Sequence, residues 1–253
     1  MHAIVAPLPD KLRAASHGRA VAGMIGMELL WGNDLVVDVP GGSLQLLPAG
    51  EGTSLAEATW PPMTAIPLAV LPSRVLGIGA SCGRVMMDSG GGVLSRSDGK
   101  ACGVVSADQG ARVFPAVLDT GATMTFVNTP AAAVTGLVPA DAKQAQEALA
   151  AMARGPLEAV AAVGVDGRAS GIMPRTVAQV ALCGKLASET TVHSLVFDPV
   201  PVAIGPVPAL RLVLAAGDAK EPYLGPGGLI GMDVLSQRRW ILCAARRRLY
   251  VAC

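Results

Sequence analysis

One eight-residue string occurs twice in this chain. Gly23-Met-Ile-Gly-Met-Glu-Leu-Leu30 lies on Gly228-Leu-Ile-Gly-Met-Asp-Val-Leu235 without a gap. The match continues at the same spacing: Leu35-Val36-Val37 lies on Trp240-Ile241-Leu242, and Leu44-Gln45-Leu46 on Leu249-Tyr250-Val251. Apolar stretches share letters by chance, but not an ordered Gly-x-Ile-Gly-Met-acid-apolar-Leu string followed by two further matched segments. Each copy reads as a strand, a tight glycine turn, a short helix and a hairpin. The hairpin turns fall at Pro40-Gly41-Gly42 and Ala245-Arg246-Arg247. A duplicated β-unit is therefore the frame into which the rest of the chain must fit.

The second constraint is the stretch Phe114-Pro-Ala-Val-Leu-Asp-Thr-Gly-Ala-Thr-Met-Thr-Phe-Val127. An apolar run delivers a carboxylate, Asp119, and a second apolar run leaves after it. An ionised carboxylate between two hydrophobic strands needs donors to hold it. Gly121 lets backbone pass close, and Thr120 has a hydroxyl that can hydrogen-bond inward. An ordinary β-turn is the plain alternative, since Asp-Thr-Gly is common turn chemistry.

The segment Val117-Leu118-Asp119-Thr120-Gly121-Ala122 resembles the active-site loop of aspartic peptidases, in which two apolar residues precede Asp-Thr-Gly-Ala. The same family has a second element about a hundred residues on, an apolar-apolar-Gly strand end before a short helix. Leu229-Ile230-Gly231 followed by Met232-Asp233-Val234-Leu235 has that form. The two together are similar to the retropepsin-like group. The resemblance implies a mainly β fold: an acid-protease β-barrel lobe with one or two short helices, preceded by the C-terminal part of a second similar lobe. On that reading residues 1–47 end a first lobe, 48–64 link, and 65–253 form a complete lobe carrying Asp119.

Composition agrees with a folded β-rich protein. Of 253 residues, 51% are hydrophobic and 15% charged, enough apolar material for a core. Aromatics are 3%, so the core must be built of Val, Leu, Ile, Ala and Met. The net charge of +1 gives no reason to expect nucleic acid or an anionic membrane surface as partner. No apolar run approaches the ~18 residues of a spanning helix. Five cysteines without a C-x-x-C pair and three scattered histidines argue against a zinc site, and no metal or other cofactor is expected. Cys183 and Cys243 read as buried small hydrophobes.

Between the motifs, strands are expected at 66–71, 84–87, 160–165, 176–182, 192–197 and 202–204, with a further apolar segment at 210–214. Residues 48–62, which open on Pro-Ala-Gly-Glu-Gly-Thr-Ser and end on Trp-Pro-Pro, are turn-rich and read as an interlobe linker. Residues 102–114 read as a hairpin feeding the Asp119 loop. Met86-Met87-Asp88-Ser89-Gly90 also fits the peptidase pattern, but it stands too close to Asp119 for a lobe to fit between, and a loop is the better reading. Residues 140–154 read as a helix stopped by Gly155-Pro156. The arginines at 238, 239 and 246–248 read as a solvated edge. Gly164, Asp166 and Gly167 form a candidate flap tip, at the place where the resembled family closes a hairpin over substrate. An ordinary surface hairpin explains them equally.

The resemblance implies an aspartic endopeptidase acting on a peptide or protein substrate. Asp119 would be one of two carboxylates around one water, Thr120, Gly121 and Ala122 its loop, and Leu229, Ile230 and Gly231 its supporting strand. One Asp-Thr-Gly is half a dyad. The other half is expected from a second lobe, supplied by upstream sequence or by a homodimer. A different class remains open: a catalytically inactive peptide-binding module on the same fold.

Overall fold

In the computed structural model the described residues are 27–59, 63–71, 75–84, 113–163, 169–184, 193–215 and 222–252. The first repeat copy forms α1 (Met27–Leu30), β1 (Asn33–Asp38) and β2 (Ser43–Pro48), and α2 (Glu51–Ala58) follows. Then come β3 (Met63–Pro67), β4 (Ala69–Val70) and β5 (Leu76–Arg84). The Asp119 loop joins β6 (Phe114–Leu118) to β7 (Phe126–Val127). Two helices, α3 (Thr129–Val134) and α4 (Ala142–Ala153), lead to β8 (Val160–Val163), β9 (Ala169–Met173) and β10 (Arg175–Gly184). After β11 (His193–Val196) and β12 (Val200–Ile204) comes α5 (Pro208–Val213). The second repeat copy closes the chain: β13 (Gly228–Ile230), α6 (Met232–Leu235), β14 (Trp240–Cys243) and β15 (Arg248–Ala252).

Two sheets carry the architecture. One has eight strands in the order β11-β10-β12-β7-β13-β6-β5-β4, and an extra β10–β5 pairing closes six of them into a barrel. The other has five strands in the order β2-β1-β14-β15-β3. The mainly β class and the barrel agree with the sequence reading.

The five-stranded sheet is where the repeat becomes geometry. Helices α1 and α6 occupy matching positions in the two copies, each four residues long. In the first hairpin Leu35 faces Leu46; in the second the matching residues, Trp240 and Val251, face each other. The two hairpins meet through β1 and β14, antiparallel, with Val36 opposite Ile241. Those two residues also lie on each other in the sequence alignment. A local two-fold axis therefore passes between them and relates the two copies.

Alternation along these strands separates two faces. One face carries Val37, Trp240, Leu242, Leu249, Val251 and Ile66, which join the barrel core with Ile78, Leu182 and Ile230. The other carries Val36, Ile241, Cys243 and Tyr250, covered by Ala56 and Leu55 of α2. Segment 48–62 is thus not simply a linker. Asp34, 1% exposed, turns the chain into that helix: its Oδ2 accepts from the N–H groups of Gly50 at 2.8 Å and Gly52 at 2.9 Å. Two donors at a helix start offset much of the cost of burying the acid.

Other expectations need correction. The described part of residues 65–253 holds four helices rather than one or two. The segment after Thr129 is a helix because Asn128 caps it, its Oδ1 accepting from the Ala131 N–H, with Pro130 in the first turn. Segment 210–214 is mostly the helix α5, started by Pro208. The expected 140–154 helix runs from Ala142 to Ala153, capped by Asp141, whose carboxylate accepts from the Gln144 N–H at 2.9 Å. Of the strand expected at 84–87, Arg84 is the last residue of β5, and residues 85–87 lie outside the described residues. Of the arginines expected in solvent, Arg238 is half-buried. Its guanidinium donates to the carbonyls of Ala252 and Val196 and stands 5.3 Å over the Phe197 ring. Arg246 and Arg247 are exposed as expected. The Asp88 decoy and most of the 102–114 hairpin lie outside the described residues.

Candidate active-site loop

Strand β13 is the keystone of the site. It runs parallel to β6, with Leu229 beside Val117 and Ile230 beside Leu118, and antiparallel to β7, with Leu229 beside Phe126. The loop that leaves β6 and returns as β7 is therefore held open by a strand more than a hundred residues away. The Asp119 N–H donates to the Ile230 carbonyl at 3.0 Å, and the Met232 N–H to the Ala122 carbonyl at 2.8 Å. The two segments singled out in the sequence are thus stitched by backbone bonds at both ends of the loop.

Gly231 is needed for close approach, since its φ of −91° suits any residue. A Cβ built there would lie 2.5 Å from the Met124 carbonyl carbon and oxygen, and 3.0 Å from the Ala122 oxygen. At this position a glycine lets the end of β13 pass close behind the Asp119 loop. Gly228 has a similar fit, its Cβ position 2.8 Å from the Phe114 ring.

Asp119 itself is half-buried at the mouth of the loop. Its Oδ1 accepts the Gly121 N–H at 2.9 Å, and the Ala122 N–H donates to its carbonyl at 3.2 Å. One carboxylate oxygen is thus oriented by the loop's own backbone, and the carboxylate stays open to solvent on one side. Thr120 is exposed, so it is not the residue that bonds inward. That role falls to Thr125, whose side chain is wholly buried.

Thr125 and Asp233 form the lock that the sequence reading missed. The Asp233 carboxylate accepts both the Thr125 N–H at 2.9 Å and the Thr125 hydroxyl at 2.7 Å. The same hydroxyl oxygen accepts the Gly231 N–H at 3.1 Å. One buried hydroxyl thereby joins the returning limb of the loop to the glycine behind it. Burial is the largest influence on Asp233 and raises its pKa, while the bonds from Thr125 and the Val234 N–H work the other way. The signal available in the sequence was an acid in the first turn of a short helix, two residues after Gly231, at a point where the chain is otherwise apolar.

The candidate flap residues Gly164, Asp166 and Gly167 lie outside the described residues. They fall between β8 and β9, which pair antiparallel, Val160 with Met173 and Ala161 with Ile172. The expected strand at 176–182 is β10, which belongs to the barrel, so the partner of β8 is β9 instead.

The described cysteines offer no nucleophile. Burial pushes the Cys82 thiol up to about 12, with the Asp233 charge adding to it, and raises Cys183 and Cys243 to about 11. A thiol this weakly acidic carries almost no thiolate at neutral pH. Cys183 and Cys243 pack as small hydrophobes, as expected. Among the described residues no cluster of three His, Cys, Asp or Glu is placed to hold a metal ion, and no helix is long and apolar enough to cross a membrane. No family model matches the chain, and no curated protein matches it.

Proposed function

We propose that this chain carries one catalytic half of a retropepsin-like aspartic endopeptidase. The observation that supports the reading most is the threading of β13 between β6 and β7, which presents Asp119 at an open loop mouth with Gly231 pressed against its back. A turn with no task beyond reversing direction needs neither a distant strand to prop it nor a buried Thr125–Asp233 lock.

The chemistry follows from placing a second carboxylate opposite the first. Two carboxylates about 3 Å apart share one proton, because like charges that close cannot both ionise. The ionised member takes a proton from water as it attacks the peptide carbonyl, and the protonated member donates to the carbonyl oxygen. In this scheme the Gly121 N–H fixes one oxygen of Asp119, so that the carboxylate does not rotate as its proton moves. Water and the two acids suffice, and no cofactor enters. A single carboxylate has no mate with which to share a proton, so one lobe cannot supply both the base and the acid.

The test is peptide cleavage measured across pH. The 253-residue chain alone is expected to be inactive, and a form with a second Asp-bearing lobe active. Asp119→Asn in that active form should lower turnover by about 100- to 10,000-fold, the usual worth of a positioned acid–base group. Cleavage that survives the substitution would sink the assignment. Peptide binding without any turnover in the two-lobed form would instead favour a binding module.

A further inference from the structure

Side chains alternate along β6, so Val117 and Asp119 fall on one face of the strand and Ala116 and Leu118 on the other. Ala116 belongs to the barrel core and Leu118 packs against it, which puts Val117 and Asp119 on the outside. The ladder still holds at Asp119, whose N–H bonds the Ile230 carbonyl, so the alternation runs through to it. Register places Gly77 and Leu229 on either side of Val117, and Phe126 beyond Leu229. An apolar row thus crosses β5, β6, β13 and β7 at a distance of about 7 Å from Asp119, two residues of strand rise away.

The chain fills much of that row with its own leucines. Leu210 and Leu214 of α5 form a cluster with Val117, at 2%, 8% and 8% exposed. Leu214 is seated on Gly227, where a Cβ would lie 2.6 Å from its Cδ1. At the other end Leu71 is seated on Gly77, where a Cβ would lie 2.9 Å from its side chain. The α5 block is tied in place. The Tyr223 N–H donates to the Arg211 carbonyl at 2.9 Å, and the Tyr223 hydroxyl to the Pro226 carbonyl at 2.8 Å. The Asn128 side chain donates to the Gly225 carbonyl and accepts the Gly227 N–H. Of the four residues in the row, Leu229 and Phe126 alone are half-buried rather than buried.

We propose that α5 sets the size of the substrate side chain accepted beside Asp119. The open part of the row, Leu229 and Phe126, takes a small aliphatic side chain, Ala or Val, and the seated Leu214 excludes an aromatic one. A peptide carbonyl held at Asp119 has its neighbouring side chains within about 4 to 7 Å, the reach of one or two residues. A small side chain covers Leu229 at that distance. A Phe needs the volume that Leu210 and Leu214 already hold, and packed leucines do not yield it without strain. The inference rests on the reading of Asp119 as the reacting acid only for where the peptide lies; the size limit is a matter of packing.

The test is a titration of the 253-residue chain with short blocked peptides that differ at one central residue, Ala, Val, Leu or Phe, followed by methyl NMR of Leu229 and Leu214. The expected result is that the Val peptide shifts both residues and binds about tenfold or more tightly than the Phe peptide, the usual worth of a small misfit in an apolar pocket. Leu214→Ala should bring the Phe peptide to at least the affinity of the Val peptide. The milder Leu214→Val should move the ratio the same way, and serves if the deeper truncation does not fold. Leu212→Ala, on the opposite side of α5 and 76% exposed, should leave the ratio as it is. A wild-type chain that binds the Phe peptide as tightly as the Val peptide overturns the proposal, as does a ratio that the folded Leu214 variants do not move. Titrations in which no peptide shifts Leu229 also overturn it, since the row is then not where a peptide lies. No cleavage is involved, so the outcome is separate from that of the Asp119→Asn test. Peptides that bind in the stated order, together with a two-lobed form that never cleaves them, would keep the size limit and sink the peptidase reading.

Discussion

Leu44 and Leu249 stand at the same point of two copies of one hairpin, and one is 67% exposed while the other is 1% exposed. The hairpins share register, turn position and preceding helix. What differs is the layer stacked above them. The contrast shows that local sequence sets strand pairing, whereas burial is decided by what the rest of the chain brings over the sheet. Among the described residues, nothing is stacked above Leu44 as the barrel is above Leu249.

The largest effect should come from deleting each leucine in turn. Leu249→Ala removes a side chain that packs in the barrel core and should cost about 2–5 kcal/mol. Leu44→Ala in the same chain should stay within about 0.5 kcal/mol. Urea denaturation of both variants measures the asymmetry. Equal losses would mean that Leu44 is covered in solution, and the contrast between the copies would be broken.

Much of this architecture was legible beforehand, for a physical reason. The repeat and the Asp119 stretch are local patterns, and strand–turn–strand signals with glycine at tight approaches survive in sequence. Gly231 is such a glycine, since a Cβ there has nowhere to go. What could not be read depended on distant partners. Segment 48–62 has the composition of a linker, yet it forms α2, because Asp34 caps its start and Ile241 and Tyr250 lie beneath it. Thr120 was chosen for the inward bond by its nearness to Asp119, but the bond belongs to Thr125, since only the returning limb of the loop meets Asp233. Arg238 was placed in solvent by its charge, and two carbonyls and an aromatic ring hold it half-buried instead.

A smaller effect tests whether the second copy's burial depends on the turn that introduces it. Gly231→Ala forces a methyl group against the Met124 carbonyl and should cost about 1–3 kcal/mol through local displacement. The hairpin bonds between Trp240 and Val251 lie beyond the turn and should keep their protection from hydrogen exchange. Loss of protection throughout β14 and β15 would show that the hairpin is held by the turn as much as by the barrel.

The smallest effect concerns the acid at the matching place in each copy, Glu28 in the first and Asp233 in the second. Burial holds the Asp233 pKa above its ordinary value. A carboxyl whose folded pKa exceeds its unfolded one takes up its proton first in the folded protein. Stability should therefore rise as pH falls through the folded pKa, and the gain is complete below the unfolded value of about 3.9. Asp233→Asn keeps the shape and can still accept the Thr125 N–H, but it cannot titrate. Chemical denaturation between pH 7 and pH 4 should thus show a flatter profile for Asp233→Asn than for the wild type. If Asp233→Asn keeps the wild-type slope, the pH dependence belongs to another group.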